Sequence, residues 1–403
     1  MPLWQIALSN YEELVFKFKE VHIKESTNKA IFNPEALEFH ASCAEGLHEF
    51  LEQEVKDLGL KLTSANRGGV FFKGKKESVQ KFLLTTRFSS RVSFSISQLR
   101  VEDAEDLYDQ AVRLPWEEII AKGLSFKIDS NTKDSLKDSR YALYKLKDAI
   151  KDRLRDKREE ELEIDRDEPD LVFHLRSNRD FVNLELSLTS HPFNKRGYRL
   201  EFLDAPIREN MAQALIHFSG WNKTDVMIDP MCGSGTILIE AALLLKRKYI
   251  NETLLNQSAV YRMLYDVYVS PIKDIPSDEQ RLFGYDINPK AIQIAKDNAR
   301  RAGVDKLIHF EKADVLNLTN SKNWKTGHIV MNPPYGERLG TKEDLKILYG
   351  KISARFKQEF PGFRFTLVSG DKSLLGFFKL KEDRGMNVAI AKMKGKFVSY
   401  ELK

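Results

Sequence analysis

The sequence predicts an α/β domain on a mostly parallel sheet with a terminal antiparallel hairpin, preceded by an α+β module. Three observations lead there. Residues 226–229 (VMID) read as an apolar strand that ends in a carboxylate and enters a turn holding Gly233 and Gly235, followed by a helix over 237–248. Two later apolar runs, 282–285 and 307–310, also finish at aspartates, Asp286 and Asp314, with a helical pattern between them. Upstream, residues 37–99 follow the order strand–helix–strand–strand–helix–strand, the split βαβ arrangement.

Composition sets the bounds. A chain of 403 residues is too long for one ordinary domain. Its 31% charged residues stand beside 42% hydrophobic ones, the balance of a globular protein and not of a disordered one. A net charge of +5 permits nucleic-acid binding without establishing it. Cys43 and Cys232 lie far apart and form no zinc spacing, so two unpaired thiols in a reduced, cytoplasmic protein are expected, with no metal. No apolar run approaches the ~18 residues of a membrane span. The first residues lack a basic start followed by a long apolar core, so no signal peptide and no membrane partner are expected.

The elements follow in order. Residues 1–36 carry no assignable function. Residues 37–41 alternate as a strand, and the helix over 46–58 puts Leu47, Phe50, Leu51, Val55 and Leu58 on one face, with Gly59 at its C-cap. A strand at 70–72, a helix over 77–84 and a strictly alternating strand over 91–99 complete this unit. A second unit has helices over 104–112 and 116–120, a strand at 124–128, a long helix over 140–158 and strands over 171–175 and 181–188. That long helix carries Lys145, Lys147, Lys151, Arg153, Arg155, Lys157 and Arg158 against three aspartates. It reads either as a solvated face laced with i,i+4 pairs or as a surface that contacts phosphates.

A connection over 191–210 brings a basic segment, Lys195, Arg196 and Arg199, and then Glu209 in the first turn of a helix begun by Pro206. After the glycine turn and its helix, a polar insertion over 249–280 delays the strand that ends at Asp286-Ile287. The fourth strand, 328–331, ends in Asn332-Pro333-Pro334-Tyr335. A helix over 345–360, a strand over 363–369 and a hairpin of 387–393 with 397–402 finish the sheet.

The turn excludes two nucleotide readings. No lysine follows Gly235 as a P-loop requires, and the third glycine of a dinucleotide fingerprint is replaced by Leu238. A cradle without that lysine suits a ligand with an amino-acid end and a ribose, such as S-adenosylmethionine. Asp229, Asp286 and Asp314 end three strands in succession, and a carboxylate at the second position can accept from two ribose hydroxyls. At the fourth, the Asn332 side-chain oxygen and the Pro333 carbonyl can each accept one N–H of an aromatic amine. Its nitrogen then pyramidalises and its lone pair turns toward a methyl donor. The prolines fix those carbonyls in direction, and Tyr335 offers a stacking surface worth ~1–3 kcal/mol per base.

Here a resemblance enters. Asp229-Pro230-Met231-Cys232-Gly233-Ser234-Gly235-Thr236 resembles the cofactor loop of Rossmann-like class I methyltransferases, in the variant of RNA guanine-N2 methyltransferases. Residues 40–47, Gly68-Gly69-Val70-Phe71, Leu114-Pro115-Trp116, 144–150 and the Asp165–Asp170 motif (DRDEPD) resemble, in order, the N-terminal half of bacterial 23S rRNA guanine-N2 methyltransferases that carry a THUMP domain. The resemblance runs from about residue 37 to the end. It implies a ferredoxin-like subdomain over 37–98, a THUMP RNA-binding domain over 99–190, a linker and cofactor-covering segment over 191–210 and a methyltransferase domain over 211–403, with 1–36 outside. It further implies S-adenosylmethionine as cofactor, held by Asp229, Gly233, Ser234, Gly235, Thr236, Asp286, Ile287, Asp314 and Glu209. Catalysis falls to Asn332, Pro333, Pro334 and Tyr335, with Glu337 and Arg338 near the target nucleotide. The implied partner is 23S rRNA or a pre-ribosomal particle, contacted through Lys145, Lys147, Lys151, Lys195, Arg196 and Arg199. Two alternatives stay open: an adenine-N6 methyltransferase on DNA or RNA, and a non-catalytic RNA-binding assembly factor. The oligomeric state is not legible.

Overall fold

The structure, a computed structural model, describes residues 33–403 other than 133–135, 137, 160–163, 166, 179, 180, 200–206, 247, 248, 266–279, 336–340 and 392. The expectations for the N-terminal stretch up to residue 32, for Pro206 and for Glu337 and Arg338 therefore lie outside the described residues.

The first module is built on one seven-stranded sheet. Its strands are β1 (Phe39–Ser42), β2 (Lys61–Asn66), β3 (Gly69–Lys73), β4 (Arg91–Arg100), β5 (Phe126–Asn131), β6 (Leu171–Asn178) and β7 (Phe181–Ser187), in the order β2-β3-β1-β4-β7-β6-β5. The sequence reading separates the ferredoxin-like and second units at about residue 98, yet β4 runs antiparallel to β7 from Ser93↔Ser187 to Arg100↔Phe181 and fuses them. β4 does not keep the strict alternation expected of it: Val92, Ser93 and Phe94 are all buried, and the register shifts between Ser95 and Ser97. Val92 and Phe94 are buried on the face shared with Phe39 and Phe72, and the strand continues past the first unit to bury Leu99.

Helices α1 (His48–Asp57) and α2 (Lys76–Thr85) belong to the first half, and α3 (Ala104–Ala111), α4 (Trp116–Ile119) and α5 (Ser139–Arg158) to the second. On α5, Ala142, Leu146, Ala149, Ile150 and Leu154 are buried at helical spacing, and Asp138 caps its start by accepting from the backbone of Arg140 and Tyr141.

The second module carries α6 (Glu209–Ser219), β8 (Met227–Asp229), α7 (Thr236–Lys246), α8 (Glu252–Asn256), α9 (Ala259–Tyr265), β9 (Leu282–Asp286), α10 (Pro289–Arg301), β10 (Ile308–Lys312), β11 (Gly327–Met331), α11 (Lys342–Glu359), β12 (Phe363–Ser369), β13 (Glu382–Ile390) and β14 (Met393–Glu401). Its sheet order is β10-β9-β8-β11-β12-β14-β13, with β8 to β12 parallel and β14 antiparallel to both neighbours. From β8 the chain winds outward through β9 and β10, then returns to β11 on the other side of β8. That reversal is the topological switch point where an open α/β sheet binds ligands.

The modules are joined by buried polar groups. Asn251 donates from Nδ2 to the carbonyls of Leu83 and Thr86 at 2.9 and 2.8 Å, and Asn210 donates to Ser90 Oγ at 3.0 Å. A single hydrophobic cluster runs from Phe39 and Leu51 through Leu215 and Leu238 to Phe397.

Candidate active site

Two chain segments meet at the switch point. β8 and β11 are adjacent and parallel, with His328 opposite Met227 and Ile329 opposite Ile228. Continuing that register sets Asp229 level with Val330, so Asn332 emerges two residues further along the neighbouring strand, at the same end of the sheet.

On the β8 side, Asp229 is buried (1% exposed) and accepts from the Met231 backbone at 3.2 Å. Burial and the neighbouring Asp286 hold its carboxyl well above the usual carboxylate range. The turn is tied across to β9 by Asp286, which accepts from Gly233 N at 2.9 Å and from Asn288 N at 2.8 Å. Each Asp286 oxygen thus takes one backbone N–H and keeps capacity for a second donor. Asn298 of α10 donates to the Ser234 carbonyl at 3.0 Å, and Ser234 Oγ lies 3.3 Å from Thr236 Oγ1.

The two glycines differ. Gly233 (φ +52°) has open space where a Cβ would stand, as the approach of a ligand requires. Gly235 (φ +82°) does not: a Cβ there would lie 2.9 Å from Phe310 Cζ and 3.0 Å from Ala295 Cβ. Its missing side chain admits β10 and α10 to the turn, a packing role.

Asp314 closes the third strand as the N-cap of a short 3₁₀ turn and accepts from Leu316 N at 2.9 Å. Ile287, directly after Asp286, is 62% exposed, a large apolar side chain facing outward beside the crevice.

On the β11 side, Asn332 Oδ1 is buried with no hydrogen-bond partner among the described residues. A buried acceptor left unsatisfied costs about 1–3 kcal/mol; here it stands at the mouth of a crevice. The carbonyl of Pro334 is already engaged by Tyr349 Oη of α11 at 2.8 Å. Tyr335, half-buried, lies against Gly370, where an added Cβ would meet its Cε2 at 2.7 Å and Cδ2 at 2.8 Å. Burial pushes the Tyr335 hydroxyl above its ordinary pKa.

A methyltransferase-domain family model, described as RMKL-like, matches residues 196–398. The chain belongs to that family. A THUMP domain matches residues 101–186, and the ferredoxin-like domain described for RlmL matches 38–93. Among curated relatives, the ribosomal RNA large subunit methyltransferase K/L of Photobacterium profundum is 34% identical over 358 residues, 86% of this chain and 50% of that protein. The protein of the same description from Psychromonas ingrahamii is 34% identical over 350 residues, 84% of this chain and 47% of the relative. The chain spans about half the length of the curated relatives it matches. Of solved structures, one described as a methyltransferase complexed with SAH superposes with a TM-score of 0.75 at 24% identity, covering 91% of this chain and 98% of the other. A structure described as that of a possible methylase from Clostridium difficile 630 gives 0.74 at 27%, covering 91% and 98%.

Within this family fold the basic residues sort unexpectedly. Arg196 and Arg199 are corrections to the sequence reading, which places them on an RNA-facing segment. Arg196 is 4% exposed, donates to both oxygens of the buried Glu240 at 3.0 Å, and reaches Asn251 Oδ1 at 2.9 Å. Arg199 is 10% exposed and pairs with Glu209 at 3.0 Å. Both belong to the buried connection between modules; Lys195, just before Arg196, is exposed.

On α5, Lys147, Arg155 and Lys157 pair with aspartates of the same helix, and two further pairs are tertiary. Lys145 meets Glu105 at 2.7 Å and Arg153 grips Glu117 through Nε (2.9 Å) and Nη2 (2.5 Å). Lys147 lies over the ring of Tyr144, 4.9 Å from its centroid, and Tyr141 and Tyr144 are exposed. Glu209, 3% exposed, keeps Oε2 without a partner among the described residues, and burial raises its carboxyl to about 7 against the pull of Arg199. Among the described residues, no group of side chains could hold a metal and no helix is long and apolar enough to cross a membrane.

Tyr349, Asn298 and Gly370 are absent from the sequence reading. Tyr349 sits at helical spacing from Leu345 and Ile352 on a buried stripe, where an aromatic reads as core; nothing in the pattern marks its hydroxyl.

Proposed function

We propose that this chain transfers a methyl group from S-adenosylmethionine to the exocyclic N2 amine of a guanosine in 23S ribosomal RNA. The observation that carries the reading is the buried Asn332 Oδ1, without a partner among the described residues and one strand away from the glycine turn.

The residues present fit the cofactor. Gly233 leaves room for close approach, the Asp286 carboxylate retains acceptor capacity beside it, and Ile287 offers an apolar surface for an adenine. Asp229 and the Ser234–Thr236 turn would meet the amino-acid end, and Asp314 the adenine amine. Glu209, with one oxygen unpaired, is a further candidate contact. When bound, the cofactor supplies an electrophilic methyl on sulfur.

The chain's own work is orientation. Asn332 Oδ1 and the Pro333 carbonyl accept the two amine hydrogens, Tyr335 stacks on the base, and the Tyr349 hydrogen bond holds Pro334 from behind. No side-chain base is required, since a cationic methylated amine loses its proton to water.

RNA as substrate is supported by the THUMP match and by the description of the curated relatives. Lys145, Lys147, Lys151 and Lys195 are the proposed phosphate contacts, with exposed Tyr141 and Tyr144 beside the first two. Incubation with labelled cofactor and unmodified rRNA, followed by nucleoside analysis and site mapping, tests the proposal. Label in N2-methylguanosine at one position is expected. Label in N6-methyladenine of duplex DNA, with none in rRNA, would replace this reading.

A further inference from the structure

The β13–β14 hairpin turns at the site end of the sheet. Ser369, last in β12, pairs with Lys396, so the tip between Ile390 and Met393 stands beyond the carboxyl end of the parallel strands. Gly370 follows Ser369 and lies beneath the Tyr335 ring. The position a Cβ would take on Gly370 is 3.3 Å from Met393 Cε and 2.7 Å from Tyr335 Cε2, so thioether and ring are neighbours over one glycine. Met393 is 47% exposed, so its thioether is accessible from the crevice side.

The same hairpin is gripped by the first module. Ala389 N donates to the Glu45 carbonyl at 2.8 Å. A Cβ on Gly46 (φ +98°) would stand 2.3 Å from the Asn387 carbonyl oxygen and 3.0 Å from Val388 Cα, so the glycine permits backbone-to-backbone contact. Val388 and Phe397 are part of the hydrophobic cluster that includes the first module. β13 is the edge strand of its sheet; the Glu45–Gly46 turn covers that edge just short of the tip.

We infer that Met393 is a positioning residue for the target base, forming one wall with Tyr335, and that Glu45 and Gly46 of the first module hold it in place. This rests on the methyl-transfer reading above. An unbranched thioether is suited to the role, since it conforms to a base face and makes favourable contacts with rings. The consequence is that the RNA-binding half of the chain reaches the reacting nucleotide through this hairpin.

The test measures methyl transfer to unmodified 23S rRNA by the full chain at saturating cofactor. Met393→Ala is expected to raise KM for RNA roughly 2- to 10-fold, the size of one lost thioether contact, with kcat and cofactor Kd unchanged. Met393→Leu restores most of the loss. Tyr335→Ala combined with Met393→Ala loses less than the product of the single effects, because the two side chains form one surface. Gly46→Val raises KM in the same way and does not compound with Met393→Ala; its thermal melt reports whether it folds. Should Gly46→Val misfold, a photo-crosslinking residue at position 393 decides by its attachment to the target nucleotide or to none. An unchanged KM for Met393→Ala, or fully multiplicative losses with Tyr335→Ala, overturns this inference while leaving the functional reading intact. Absence of transfer by the parent chain overturns that reading and this inference with it.

Discussion

Tyr349 donates its phenolic hydrogen to the carbonyl of Pro334 at 2.8 Å, from a ring that is fully buried and stacked on Phe378 with centroids 4.4 Å apart. The loop after β11 is therefore braced by α11, an element about fifteen positions later in the chain. Tyr349→Phe keeps the ring and removes only the donor. Losing such a bond costs about 1 kcal/mol, so kcat should fall several-fold while cofactor affinity stays unchanged. Steady-state kinetics beside cofactor titration would show it; an unaltered kcat would mean the prolines alone hold the loop.

Asn332 offers the sharpest test of the chemistry. Its Oδ1 has no partner among the described residues, so Asn332→Ala removes an acceptor left available to the substrate. By analogy with deleting an oxyanion-hole donor, the loss is about 2–4 kcal/mol of transition-state stabilisation. Single-turnover methyl transfer should collapse while RNA and cofactor binding persist. Full retention of cellular function by this variant would favour a scaffold role in place of catalysis.

The paired glycines of the turn should respond differently to the same substitution. Gly235→Ala drives a Cβ toward Phe310 and Ala295 at a φ of +82°, and should destabilise the fold by about 1–3 kcal/mol. Gly233→Ala meets no atom within 4 Å and pays only the left-handed backbone cost of about 1 kcal/mol, but its methyl enters the space proposed for the ligand. Thermal melts should single out position 235, and cofactor titration position 233. Equal cofactor affinity for Gly233→Ala and the parent would remove the argument for close approach there.

Much of this site is legible in the sequence because it is local. The strand–turn–helix at Asp229 to Thr236 and the tetrapeptide at Asn332 to Tyr335 are contiguous, and strand alternation sets which ends share a side. What escapes is tertiary. Arg196 and Arg199 look like a solvated basic segment, and only the fold brings Glu240 and Glu209 to them. The fusion of two units through β4 and β7 depends on pairing between residues about ninety positions apart. Tyr349 and Gly370 act on the site from α11 and the end of β12, where pattern reads only a core aromatic and a turn.

Glu209 makes stability depend on pH in a direction opposite to that of a salt-bridged carboxylate. Burial is the largest influence on it and the nearby Glu240 adds to the effect, while Arg199 opposes, leaving its carboxyl at about 7 instead of the ordinary 4.5. Between those values the folded protein binds more protons than the unfolded chain, so stability falls as pH rises through that window. Below it both states hold the proton and the contribution vanishes; above about 7 the penalty is complete, on the order of 3 kcal/mol for a shift of this size. Glu209→Gln removes the titration. Arg199 then lacks its charged partner, so the variant's absolute stability is not the readout. The slope is: urea denaturation at several pH values from 4.5 to 8 should give the variant a flatter decline than the parent. Parallel curves for the two proteins would place the Glu209 pKa near its unperturbed value and assign the Arg199 pair, not burial, as the dominant influence.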